Sequence, residues 1–179
     1  MSADASRALK VITGSSRFEA SEKTSTVARA AASLVAAFPV PTVGREDACR
    51  VYTPIGTPHF ELRITWRLVD GAPTDDPAAP KFTVLKMGEE TLAAADMAYV
   101  QFACTSPRLS DSSEVAHIRI GVEHWGTPTE PEGDTEALKD AYATVAHSVS
   151  LAMAKELRCE KNGGLPARPV LDPWPRRPR

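Results

Sequence analysis

His117, with Glu123 or Glu61, is the combination of side chains in this sequence that offers acid/base chemistry. A histidine beside a carboxylate can pass a proton near neutral pH, which is what general acid/base catalysis asks of it. All three residues sit on the polar parity of alternating segments, so a catalytic role requires the sheet to curl into a cleft around them. Without a cleft they form a solvated strand face. The four histidines, His59, His117, His124 and His147, do not make a ligand set. His117 and His124 are seven positions apart on one strand, and an odd spacing sends them to opposite faces, so they cannot share a metal without a bulge. His124 follows the inward parity beside Trp125 and reads as a rim histidine, whereas His147 falls off the apolar stripe of a helix and reads as solvated.

Cysteine offers the second kind of chemistry. Cys104 ends the inward set of a strand, and Cys159 stands in heptad register with Leu138, Val145 and Ala152, so both are expected to face one core near one end of the molecule. Two readings stay open. A disulfide would tie the last helix to the sheet, while two unpaired thiols would pack as small apolar side chains, as is usual in the cytosol. Cys49 makes the number odd and could be the partner of either. Dinucleotide fingerprint, phosphate loop, zinc-protease helix, hydrolase elbow and paired-cysteine redox motif are all absent, and no cofactor or metal is expected.

The elements that would position these residues are read from periodicity. Residues 1–21 form a polar, mixed N-terminal arm with one short apolar run, Ala8 to Ile12, which is a weak strand or a loose segment. Val27, Ala31, Leu34 and Phe38 recur at three- and four-residue steps, predicting a helix from about Thr24 to Phe38, with Thr24 or Thr26 as cap and Pro39 as stop. Strict alternation predicts a strand over His59 to Asp70, with Leu62, Ile64, Trp66 and Leu68 on one side and Glu61, Arg63, Thr65 and Arg67 on the other. After a proline-rich turn come a less regular strand, Lys81 to Met87, and two more, Met97 to Cys104 and Val115 to Trp125. A second helix starts at Asp134 or Thr135, continues to Cys159, and stops at Asn162, Gly163 and Gly164.

The fold class expected is α+β: a two-layer sandwich of a four-stranded antiparallel sheet, paired as a simple meander, with two helices packed on one face. Residues 22–164 make the single domain and 165–179 a proline- and arginine-rich tail, either frayed or a short recognition peptide, with Trp174 as the residue that decides. The open sheet face carries Glu61, Arg63, Thr65, Arg67, His117, Arg119 and Glu123, and reads as solvated ion pairs or as a binding surface.

Charge narrows the partners. Lys and Arg number 21 against 23 Asp and Glu, which leaves no basic footprint for nucleic acid. The longest apolar stretch, Val27 to Phe38, is interrupted by Arg29 and Ser33 and is too short to cross a bilayer; it is also a poor secretory leader.

The stretches Ala98-Tyr99-Val100-Gln101-Phe102-Ala103-Cys104, His147-Ser148-Val149, Ala154 to Cys159, and Gly163-Gly164-Leu165-Pro166 resemble uncharacterised small extracytoplasmic proteins of high-GC actinobacteria. The resemblance begins at Ala98 and brings no functional residues. It implies a compartment outside the cytoplasm and an N-terminal membrane anchor, which this sequence does not display. The function expected is therefore a non-enzymatic, possible envelope-associated interaction domain with a protein partner. The alternative is a small-ligand-binding or hydrolytic α+β domain using the His117 and Glu123 region.

Overall fold

The structure, a computed structural model, describes residues 2–20, 26–38, 46–55, 60–74, 76–109, 114–126 and 131–174. Within them the chain forms three α-helices and one antiparallel sheet of six strands with a two-residue segment added at one edge. The strands are β1 (Glu19–Ala20), β2 (Glu46–Tyr52), β3 (Glu61–Val69), β4 (Thr83–Leu85), β5 (Glu90–Ala93), β6 (Met97–Cys104) and β7 (Ala116–His124). Their spatial order is β1-β2-β3-β7-β6-β5-β4. The α+β class with an antiparallel sheet stands; the expected four strands do not.

Two of the additional strands lie where alternation is short or mixed. In β2, Glu46, Asp47 and Arg50 surround Ala48 and Cys49, and the register shifts between Asp47 and Cys49, so no period of two survives to be read. β5 is four residues long, Glu90–Ala93. The simple meander is also corrected, because β3 pairs with β7 instead of with the strand that follows it. Val69 ends β3 near His117, whereas Thr83 begins β4 at the opposite end and far edge of the sheet. The connection between them crosses the outer face: Gln101 Nε2 donates to Gly71 O at 2.9 Å, and Phe82 meets Tyr99 edge-on at 5.9 Å between centroids.

The helices are α1 (Ala3–Thr13), α2 (Val27–Ala37) and α3 (Thr135–Glu156). The N-terminal arm is thus largely a helix, contrary to expectation. Ser2 Oγ caps it by accepting from Ala5 N, Gly14 closes it in the left-handed region, and Ala5, Ala8, Leu9 and Ile12 are buried along one stripe. Thr26 caps α2 by accepting from Arg29 N at 3.2 Å; Thr24, Pro39, His59 and the tail beyond Trp174 lie outside the described residues. Asp134 Oδ1 caps α3 through Glu136 N and Ala137 N.

Leu62, Ile64, Trp66, Val100, Phe102, Ile118, Ile120 and Val122 project from one sheet face into a common core with Leu34 of α2, Leu9 of α1 and Val145 and Met153 of α3. Between Ala141 and His147 every residue of α3 is buried, because the sheet, α1 and α2 all pack on it. His147 is accordingly not solvated. It is 2 % exposed, and its Nε2 lies 2.8 Å from Pro166 O.

α3 ends before the predicted stop. The Ser106 hydroxyl and the Arg108 guanidinium donate to the last carbonyls, Leu157 O and Glu156 O, and Arg158 takes a left-handed φ of 56°. Asn162, Gly163 and Gly164 belong to a second, left-handed turn after Cys159, and a Cβ at Gly163 would stand 2.6 Å from the Phe102 ring. Beyond it the expected loose tail runs back over the fold: Pro173 bridges Leu85 and Trp174 N donates to Val84 O at 2.8 Å. This covers the β4 edge, which would otherwise present unpaired backbone groups.

Candidate functional site

Cys104 and Cys159 lie at disulfide distance, their Cα atoms 4.9 Å apart, with both side chains buried as the sequence predicted. Cys159 reaches this position from the extended residue after α3, not from the helix itself. Cys49 is the free cysteine, on β2 opposite Ile64. Burial, with a smaller push from Asp47, raises its thiol to about 11, so the nucleophilic thiolate is scarce at neutral pH.

The proposed acid/base pairs are not brought together. Glu123 is six residues from His117 along β7, on the order of 20 Å at the usual rise of a strand. Glu61 lies beyond Glu123 in the same direction, on β3. The carboxylate beside His117 is Glu89, whose Oε2 is 2.9 Å from Nδ1. Glu89 precedes β5 and is far away in sequence, and nothing in its surroundings marked it. His124 keeps its inward parity and stacks on Phe60 at 4.4 Å between centroids.

Three rows of side chains cross the outer face, each set by register. One joins Arg67, Arg119, Gln101 and Glu90 across β3, β7, β6 and β5. Gln101 Oε1 accepts from Arg119 Nε at 3.1 Å and Nη2 at 2.7 Å, and Glu90 Oε2 is 3.4 Å from the same Nη2. The next row is small in its middle. Thr65 and Gly121 lie beside Tyr99, whose ring would stand 3.1 Å from a Cβ at Gly121. The third row joins Arg50, Arg63 and Glu123. Here Asp47 accepts from both Arg50 and Arg63, and Arg50 Nη1 is also 3.3 Å from Glu61 Oε1. Burial pulls the Asp47 carboxyl upward, but hydrogen bonds from the two guanidiniums, and then their charges, outweigh it and hold it below the ordinary carboxylate range.

Trp125, one residue past β7, completes this end. The residue is 41 % exposed, with the Arg63 guanidinium carbon 4.3 Å from the ring centroid and that of Arg50 at 5.5 Å. Sequence reading placed Arg63 on this face and carried the predicted strand through Trp125, but did not count the tryptophan among the outer-face residues. The arrangement leaves an aromatic plate and two oriented guanidiniums at the surface, a combination suited to polar and planar groups.

The comparison with protein-family models, with curated proteins and with solved structures found no match to this chain. Among the described residues no group of three His, Cys, Asp or Glu side chains is disposed to hold a metal, and no helix is long and apolar enough to cross a membrane.

Proposed function

We propose that this protein is an interaction domain that works outside the cytoplasm and meets a protein partner through the β2–β3 side of its outer sheet face. The observation that carries the reading is Trp125 held half-open beneath Arg63 and Arg50 on a face that no helix of the described residues covers. Tryptophan and arginine are the residue types that dominate interface energetics, and here the two arginines are held in advance by Asp47 and Glu61, which lowers the ordering cost of binding. The Cys104–Cys159 pair supports the compartment, since a buried structural disulfide persists where conditions are oxidising.

The acid/base alternative loses the pairs on which it rested. Glu89 in addition stands 3.4 Å from Gln101 Nε2, so the His117 contact reads as one end of a polar network that fixes the face.

The test is quantitative affinity capture from cells that make the protein, with wild type, Trp125→Ala and Arg7→Ala as baits; Arg7 is exposed on α1. A partner recovered by wild type and Arg7→Ala and reduced at least tenfold with Trp125→Ala supports the reading. Indistinguishable recovery with all three baits overturns it.

A further inference from the structure

Arg67 and Arg119 are direct cross-strand partners on the outer face of β3 and β7. Like charges in such positions repel, so the pair needs compensation. Arg119 has it: two of its nitrogens donate to Gln101 Oε1 and Glu90 stands 3.4 Å away. Arg67 is exposed and makes no hydrogen bond or ion pair among the described residues. Burial first, and then the Arg67 charge, weaken the hold of Arg119 on its proton, and Glu90 opposes them. Glu90 pairs with Arg119 and Glu89 is engaged by Gln101 and His117, so among the described residues Arg67 is the guanidinium of this row without a carboxylate at ion-pair distance.

From this geometry we infer that Arg67 and Arg119 form a carboxylate-binding clasp, and that its occupant is an acidic side chain of the protein partner. A single unpaired guanidinium matches a carboxylate better than a phosphate group, which carries close to two negative charges at neutral pH. A guanidinium offers two parallel N–H donors matched to a carboxylate, and Arg67 has its whole fork available among the described residues. Gln101 holds Arg119 in place, and is itself only 2 % exposed and fastened to Gly71 O, so half of the clasp is organised before anything binds. The clasp lies four residues from Arg63 along β3, roughly 13 Å, on the same face as Trp125. One extended acidic segment can therefore touch both. The identity of the occupant rests on the interaction-domain reading; the clasp itself does not.

The experiment is two-dimensional NMR of the full chain at low salt, observing the arginine Nε–H and backbone amide signals, with hexaglutamate, hexaglutamine and inorganic phosphate as probes. Expected are saturable shifts at Arg67, Arg119 and their β3 and β7 neighbours with hexaglutamate, none with hexaglutamine, and an affinity at least fivefold weaker in Arg67→Gln. Because Arg67 is exposed, that variant should keep the wild-type spectrum elsewhere and so report on binding alone. Equal hexaglutamate affinity in Arg67→Gln, shifts confined to another surface, no binding, or phosphate binding more tightly than hexaglutamate at equal ionic strength would each overturn the clasp. If these tests fail while Trp125→Ala still loses its partner, the interaction reading survives alone. If hexaglutamate binds as described while Trp125→Ala captures normally, the clasp stands and the interaction reading falls.

Discussion

At position 147 a histidine sits in the middle of a helix that is buried on all sides, tied by Nε2 to the carbonyl of Pro166. Burial pushes its pKa below the ordinary 6.5, and the bond to Pro166 only partly opposes that. The sign follows directly. In the unfolded chain the imidazole takes up its proton at a higher pH than in the fold, so the unfolded state gains protons first as the solution is acidified. The contribution of His147 is complete above about 6.5 and is lost as pH falls from there through the folded value. His147→Gln keeps a donor for Pro166 and does not titrate. Urea denaturation at pH 7.5 and 5.0 should show wild type losing more stability on acidification than the variant; parallel losses would contradict this account. The sequence hid the residue because its position off the apolar stripe means exposure only when a helix has a solvent side, and the middle of α3 has none. The outer-face side chains were easier to place. Parity put Glu61, Arg63, Arg67, His117 and Glu123 on one face, as found, but it could not say which of them meet, since Glu89 and Gln101 enter through strand pairing that alternation does not encode.

At the scale of elements, the Cys104–Cys159 link joins the end of β6 to the segment leaving α3 across 55 positions of sequence. Closing a loop of that length in the unfolded chain is worth about 4 kcal/mol on chain-entropy arithmetic, with measured values commonly 2–4. Cys104→Ala together with Cys159→Ala should lower stability by roughly 2–4 kcal/mol under non-reducing conditions and abolish the effect of added reductant. An unchanged denaturation midpoint would show that packing alone holds the junction. The strongest elements were legible from periodicity: β3, β6, β7 and α3 appear close to their expected limits. What failed were short or irregular elements. α1 carries its apolar residues at helical spacing, but the compact run Ala8 to Ile12 conceals that period, and the prolines of the tail conceal Leu165, Val170 and Leu171, which give it an apolar side to dock.

Across the whole molecule the two sheet faces divide the work. One is covered by α2 and α3, with α1 packed on α3, and holds the core, and the C-terminal segment closes the β4 edge. The other is crossed by the β3–β4 connection and keeps its β2–β3 side, with Arg50, Arg63, Arg67 and Trp125, toward solvent. Near-neutral overall charge means that recognition must come from this local arrangement rather than from a long-range field. The central claim, that this side of the sheet is where a partner docks, is tested most directly by placing a photo-crosslinking amino acid at position 125 in the cells that make the protein, with the same group at Lys155, an exposed site on α3, as the comparison. The account predicts a discrete heavier adduct from position 125 and none from position 155. No adduct from position 125, or the same adducts from both positions, would contradict it.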